Sequence, residues 1–480
     1  MTTLFPLSRI VVVASTLLAV AVGLWPLASV PGVLASLAAI VVGTAAIARW
    51  RLSVASTIVL LFAYVHYGVA RLLVGPELAS MPFWLAAFAG LALGGGAWTR
   101  WESGGAWRLP LSWWATGVAV TWPFFAARDL GYSAAPSLAA GPIVTTAALQ
   151  LSLALWMDRL LRSGADGEQR DIGPNHARWA WPLVASAMLT AAAALYQRFV
   201  DPAWLSGEPW MSMRRSVGMM GDANPTGVAT ALWAPLAWML AAGGLAGSLA
   251  GGGMAAGLWA AAWASGARTT LILLGAGVSG LVLALVRARG DSRLAVAGTA
   301  AAAGVVVGVL AVVAVQRATP ESPVGRLVAA VPTASPRAAL YELLWRRDGY
   351  GLAAVEAIRE HPVIGVGVGR FTRLSTSYHQ RLTGRAIPPD NAQNFWRHTF
   401  AEQGLLGLLP VLWLTALTVR GLVSRTDTGL GLMLRVMLAG IGVGLVFGYP
   451  VQDAAIAVTV GALAAAVERD RLECRRPAHH

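Results

Sequence analysis

Long apolar runs dominate the chain, and short polar stretches separate them. An α-helix of about 20 apolar residues crosses the hydrocarbon core of a bilayer, and roughly fourteen runs approach that length. In the first half they are Ile10 to Pro26, Gly32 to Ala48, Val54 to Leu72, Phe83 to Trp98, Leu111 to Phe125, Leu138 to Met157 and Ala180 to Tyr196. The second half adds Gly227 to Leu249, Gly253 to Ala264, Thr269 to Val286, Ala295 to Val315, Leu405 to Val419, Leu432 to Phe447 and Ala455 to Val467. Gly253 to Ala264 is short for a span, so the pattern predicts an all-α, polytopic membrane protein of about 12–14 transmembrane helices. The first run reads as an uncleaved span rather than a signal peptide, because no soluble domain follows it.

Arginines fix the orientation. When the helices alternate, the connections holding Arg49 and Arg51, Arg100 and Arg108, Arg159 to Arg178, Arg287 to Arg293, and Arg420 with Arg425 fall on one side. By the positive-inside rule that side is the cytoplasm, and the tail with Arg469, Arg471, Arg475 and Arg476 lands there too. Both termini are then cytoplasmic. Two longer connections face the other, periplasmic side: Gln197 to Thr226, and Gln316 to about Gly404, which carries eleven arginines. Long translocated loops escape the charge bias, so these arginines do not conflict with the topology. The chain divides into N-terminal spans (1–197), spans with an arginine-bearing outer loop (198–315), a long periplasmic loop (316–404), and C-terminal spans with a cytoplasmic tail (405–480). Within the long loop, Leu340 to Glu360 reads as an amphipathic helix lying at the membrane surface.

Composition narrows the chemistry. Of 480 residues 56% are hydrophobic and 12% charged, too apolar for a soluble domain of this length. All 36 basic residues are arginine, which removes Walker A phosphate loops and Schiff-base lysines. The single cysteine, Cys474, excludes an intramolecular disulfide and CxxC chemistry. The net charge of +13 would suit nucleic acid in a soluble protein, but here the arginines lie between apolar runs, where they meet lipid phosphates. Helix centres hold almost no charge, which counts against a proton or ion pathway. His66 reads as a packed histidine, Arg435 as a snorkelling cation, and Asp453 with Gln452 as a helix cap.

Polar candidates cluster in the two outer connections. Arg214 and Arg215 precede a turn-rich stretch with Gly218, Gly221, Asn224 and Pro225. Arg268 follows Ser265-Gly266-Ala267 at an outer helix end, where a guanidinium can meet a phosphate in bidentate fashion. Gly365, Gly367 and Gly369 read as a tight backbone turn, since no βαβ setting surrounds them. In Pro388 to Gly404, Asp390 after two prolines reads as a helix start, with Gln393 completing a capping-box-like pair. If that helix runs on, Asp390, Asn394, His398 and Glu402 form one polar stripe, which a solvent-facing surface would also produce.

Taken together, Arg215 through Pro225, Ser265 to Arg268, His361-Pro362-Val363-Ile364-Gly365-Val366-Gly367 and Asn391 to Gly407 resemble the O-antigen ligase and polymerase family. The order and spacing match across the second half; the first half matches only as generic membrane helices. The resemblance implies a metal-independent, cofactor-free membrane glycosyltransferase of the bacterial inner membrane. Such an enzyme takes a glycan from a polyprenyl diphosphate carrier on the periplasmic side and passes it to lipid A core, to a growing glycan or to a protein. It implies that Arg215 and Arg268 bind the diphosphate, where charge grows as the sugar–oxygen bond breaks. Arg214, Asn394, Arg397 and Glu402 are the accompanying substrate-binding candidates.

One position departs from the family pattern. Its ligases carry a histidine immediately before the asparagine of this segment, and Gln393 stands there, before Asn394. An amide cannot be a general base, which turns attention to His398 and Asp390. Ligase and polymerase remain open alternatives, as do a lipid-linked oligosaccharide flippase and a binding-only homologue.

Overall fold

The computed structural model describes residues 64–74, 180–208, 210–241, 245–287, 341–426 and 428–474, with isolated positions between 106 and 117 and between 325 and 338. Among these residues every regular element is a helix and none is a strand. The expected spans Ile10 to Pro26, Gly32 to Ala48, Phe83 to Trp98, Leu138 to Met157 and Ala295 to Val315 lie outside the described residues, as does the tail beyond Cys474.

The described helices are α1 (His66–Val74), α2 (Trp181–Phe199), α3 (Ala223–Ala241), α4 (Leu245–Ala264), α5 (Thr269–Arg287), α6 (Tyr350–Glu360), α7 (Phe371–Thr383), α8 (Phe395–Leu422), α9 (Gly429–Val446) and α10 (Ala454–Glu473). Helices α8 and α9 are long and apolar enough to cross a membrane. The third and fourth helices divide differently from the hydropathy pattern. Helix α3 ends at Ala241 and α4 begins at Leu245, so α4 has twenty residues and takes in Leu249 to Gly253. Gly251 to Gly253 lie inside α4, where Gly251 lets the helix approach the backbone of Trp238.

The centre of the bundle is α3, whose buried residues run round its whole circumference from Ala223 to Trp238. It packs on α2, α4 and α5, and α5 packs in turn on α9. Small residues permit those approaches: a Cβ on Gly280 would meet Met433 and Val436 at 3.0 Å, and one on Gly440 would meet Ala276 at 2.6 Å. At one end of this bundle lie the C-terminus of α4, the heads of α3, α5, α8 and α10, and the C-terminus of α9. At the other end Arg435, expected to snorkel, is buried instead. It donates to Asp470 Oδ2 at 2.5 Å and to the carbonyls of Gly421, Gly431 and Arg425, so its charge ties α8, α9 and α10 together.

The segment Tyr341 to Thr383 sits on the first of these ends. The single helix expected over Leu340 to Glu360 is broken: a π-helical turn (Tyr341–Arg346) and a 3-10 turn (Arg347–Gly349) precede α6. The break comes from three consecutive left-handed residues, Arg347 (φ 44°), Asp348 (φ 59°) and Gly349 (φ 96°). Helices α6 and α7 enclose a small core of their own, with Ala353, Ala357, Val366, Phe371 and Tyr378, which meets Ala392 and Ala401 at the head of α8. The segment is therefore a folded cap on the bundle rather than a lone surface helix.

Candidate functional site

The segment Pro388 to Gly404 lies where cap and bundle meet. Helix α8 begins at Phe395, and Asn394 is its N-cap, its Oδ1 accepting the Arg397 N–H at 2.9 Å. The helix start expected at Asp390 is thus displaced, and the four-residue stripe is split between a loop and the first turns of α8. The loop wins because Gln393 takes a left-handed φ of 53°, which no helix interior accommodates. Asp390 and Gln393 still pair, but side chain to side chain: Gln393 Nε2 donates to Asp390 Oδ2 at 2.7 Å. Asn394 Nδ2 donates to the Val446 carbonyl, and Asn391 Nδ2 to Gln452 Oε1, so the loop is fastened to the end of α9 and the turn after it. Asp453, next in line, caps α10 by accepting the Ala455 N–H at 2.9 Å.

His398 and Glu402 face inward. The His398 ring is 2% exposed, its Nδ1 accepts the Ala392 N–H at 3.2 Å, and its Nε2 lies 3.3 Å from Glu402 Oε1. It packs on Tyr449 and edge-on against Phe371. Glu402 is fully buried and also accepts the Phe371 N–H at 3.1 Å. Both ring nitrogens are engaged, so no lone pair remains for an incoming hydroxyl. His398, expected as one candidate base beside Asp390, thus sits in the packed interior with both ring nitrogens engaged, and Glu402, a substrate-binding candidate, is its partner. Arg397 is a brace as well, with Nη1 donating to the Trp345 carbonyl and Nη2 to the Ala392 carbonyl. His398→Ala is expected to destabilise the fold by about 3 kcal/mol, through lost packing and an orphaned Ala392 N–H. Thermal unfolding measures this, and an unchanged midpoint would refute it.

Two stretches that the sequence shows far apart close on each other here. Helix α8 is broken at Gly404 (φ 60°, ψ −157°), where the sequence pattern ends the long outer connection. His361 to Gly367 fills the break. Val366 and Gly367 donate to the carbonyls of Ala401 and Glu402 at 2.9 Å, while Leu405 and Leu406 donate to those of Pro362 and Val363 at 2.9 and 3.2 Å. Four backbone groups at the interruption are thereby paired across the two segments. Both glycines are obligatory: a Cβ on Gly365 would lie 2.3 Å from the Glu402 carbonyl carbon, and one on Gly404 2.3 Å from that of Val363. The glycine run is indeed a tight turn, and its partner is α8.

The arginines fall into two kinds. Arg215, 6% exposed, donates through Nε to the Ser265 carbonyl at 2.8 Å and through Nη2 to Asn224 Oδ1 at 2.7 Å, and it stacks over Trp210. It joins the loop before α3 to the end of α4. That loop is further fixed by buried Gln197, which donates to the carbonyls of Trp204 and Gly218 and accepts from the N–H groups of Val217 and Gly218. Arg214 is exposed at φ 50° on the outside of the same turn.

Arg268 and Arg347 are different. Arg268 is half-buried at the head of α5, and no hydrogen bond or ion pair from a described residue reaches its guanidinium. Arg347 is 9% exposed; Nη2 donates to Gln393 Oε1 at 3.1 Å and to the Phe447 carbonyl at 2.6 Å, while its buried Nε has no partner. Burial, together with the positive charge of Arg268, pulls the Arg347 guanidinium down to about 10, which leaves it charged at neutral pH. Two cations thus stand within electrostatic reach of each other, and neither forms an ion pair with a described residue.

Carboxylates complete the surroundings. Burial pushes Asp222, at the head of α3, up to about 6; Arg215 opposes this, while Asp453 and Asp390 add to it. Asp390 is likewise raised by burial, against its bonds to Asn391 and Gln393 and the pull of His398 and Arg347. The described residues contain no group of three or more His, Cys, Asp or Glu side chains placed to hold a metal ion. Cationic and carboxylate side chains therefore share one end of the bundle, an arrangement able to bind a phosphorylated headgroup beside a proton acceptor.

Comparison with known proteins bears directly on this end of the molecule. Residues 253–412 match the O-antigen ligase family. The resemblance read from the sequence is thereby borne out over that stretch, which holds Arg268, Arg347, the His361 to Gly367 turn, Gln393 and the Gly404 break. Arg214 and Arg215 lie outside it. Members of this family are membrane glycosyltransferase-like ligases and polymerases that work on lipid-linked glycans. A search of curated proteins finds no match.

Arg347 is the residue that sequence reasoning passed over. It sits in an amphipathic stretch dense in arginine, where nothing local separates it from Arg346, which is exposed and paired with Glu342. The one signal available was Asp348-Gly349, a turn dipeptide inside an otherwise helical pattern. The structure supplies the rest, since Arg347 and Gln393 are both non-glycine residues held at positive φ and they touch each other. Strain of this kind, of the order of 1–3 kcal/mol per residue, persists where the surroundings force it and gathers at functional sites.

Proposed function

We propose that the protein transfers a glycan from a polyprenyl diphosphate carrier to an acceptor hydroxyl on the periplasmic side of the bacterial inner membrane, as an O-antigen ligase with lipid A core as acceptor. The observation that carries this reading is the pair Arg268 and Arg347, two guanidiniums whose charges act on each other and neither of which forms an ion pair with a described residue. Like charges that act on each other cost free energy until an anion joins them, and a diphosphate supplies two negative groups to share between them. As the anomeric carbon leaves the carrier, charge accumulates on the departing diphosphate, and fixed guanidiniums stabilise it without reorganising. Arg215 supports the site from behind by holding the Ser265 carbonyl in the turn between α4 and α5, three residues before Arg268. The distribution of charge, concentrated at the two ends of the described bundle, suits an enzyme at a membrane face better than a flippase, which needs a polar path through the bilayer.

Surface lipopolysaccharide from a strain lacking this gene tests the reading. The expected gel shows bare core, with long glycans held on the carrier lipid, and expression of the intact chain restores the ladder. Core bearing a single repeat would assign the protein to the polymerases of the same family. An unchanged ladder would overturn the lipid A core acceptor.

A further inference from the structure

We propose that Asp390 takes the proton from the acceptor hydroxyl, and that Gln393 is a positioning residue holding this carboxylate in line with Arg347. The inference rests on the glycosyl-transfer reading above. Gln393 occupies the place where the family's ligases carry histidine, and its amide is bonded at both ends: Oε1 accepts from Arg347 and Nε2 donates to Asp390 Oδ2. The orientation of the amide is not arbitrary, because a guanidinium can only donate and a carboxylate can only accept. The bridge therefore couples a phosphate-seeking cation to the Asp390 carboxyl through one neutral side chain, itself held at φ 53°.

Asp390 has the remaining capacity that a base requires. Its Oδ1 accepts from the Asn391 N–H and from Asn391 Nδ2, whereas among the described residues Oδ2 accepts only from Gln393, which leaves it a lone pair for a hydroxyl. No ion pair with a described residue neutralises it. His398, the other candidate, has both nitrogens committed to Ala392 and Glu402. Asp222 feels Arg215 and is held by the Asn224 N–H, and no bridge ties it to Arg347.

The step balances without a further reactant. The acceptor O–H proton passes to Asp390 Oδ2, the acceptor oxygen bonds to the anomeric carbon, and the bond from that carbon to the diphosphate oxygen breaks. The electron pair leaves on the carrier diphosphate between Arg268 and Arg347, and Asp390 returns its proton to solvent. The charged and titratable groups facing Asp390 are Arg347 on the 3-10 turn, Tyr350 at the start of α6, His398 on α8 and Asp222 at the head of α3. Burial already raises the carboxyl, which makes it a better base than a solvent-exposed aspartate.

The test uses purified full-length protein added to membranes of the deletion strain, which hold donor and acceptor, with release of polyprenyl diphosphate as the turnover signal. Binding of a fluorescent short-chain polyprenyl diphosphate is read separately. Asp390→Asn, nearly isosteric, is expected to cut turnover about a thousandfold while the probe binds within a factor of about three. Gln393→Glu places a second carboxylate beside Asp390, and the acid limb of the rate profile is expected to move to higher pH. That shift distinguishes a base from a structural group and does not depend on Asp390→Asn folding. Retained turnover in Asp390→Asn, loss of probe binding in that variant, or an acid limb unmoved in Gln393→Glu would each overturn the inference. Binding without any turnover by the wild-type chain would instead overturn the underlying transfer reading.

Discussion

Arg268→Lys is expected to lower glycan transfer by two to three orders of magnitude although the side chain keeps its charge. A guanidinium offers a planar fork that meets two phosphate oxygens at once, whereas an ammonium is a hydrated point charge; losing one fixed donor from a developing anion costs roughly a hundred- to thousandfold in rate. Because no described residue bonds to the Arg268 guanidinium, the substitution should leave thermal stability nearly unchanged. Arg347→Lys should show the same loss of rate with some loss of stability, since the Phe447 carbonyl and Gln393 share its Nη2. Arg215→Met serves as the contrast, because its guanidinium is bonded within the protein, so its activity should fall together with its melting temperature. Turnover and melting temperature measured side by side separate these cases. Full activity in Arg268→Lys would remove bidentate diphosphate contact from the mechanism.

Gly404→Ala and Gly365→Ala are expected to have the largest effects on stability. Each adds a methyl group 2.3 Å from a backbone carbonyl carbon, and each glycine has a left-handed φ, so neither rotation of a side chain nor a small backbone shift relieves the clash. If the two segments of the joint part, four backbone hydrogen bonds between residues 362–367 and 401–406 are lost. A buried unpaired backbone group costs about 1–3 kcal/mol, so even two such groups consume much of a typical folding free energy. The expected outcome is loss of detergent-stable, monodisperse protein for both variants, measured by size-exclusion chromatography and thermal unfolding. A variant that purifies and melts like the wild type would mean that the joint is not rigid. Activity should vanish with the fold, because the same joint sets the position of the loop holding Asp390 and Gln393.

Much of the helical framework was legible in the chain. The starts of α5 and α10 and the core of α9 follow from apolar runs of the right length, because lipid or a packed bundle interior demands the same unbroken hydrophobicity. Helix starts were read less well. Asp222 and Pro225 open α3 before the apolar run begins, and Asn394, not Asp390, caps α8, since a left-handed residue in between is invisible to periodicity. The glycines of residues 365–369 and Gly404 were visible as turn formers or motif members. That they face each other was not, because backbone contact between segments some forty residues apart leaves no local pattern.

The sequence by itself determined the class of molecule, a strongly apolar, all-helical chain whose basic residues are all arginine, and it singled out the two long connections and Arg268 as places for anion chemistry. These follow from composition and spacing, which act locally along the chain. The tertiary structure alone decided the sorting within those places. It turned His398 and Glu402 into the core, made Arg397 and Arg435 into braces, and brought Arg347, hidden among like residues, against Gln393 and toward Arg268. The reason is physical: a guanidinium or an imidazole is the same group in every context, and only the donors, acceptors and charges folded around it determine whether it is satisfied by the protein or left to meet a ligand.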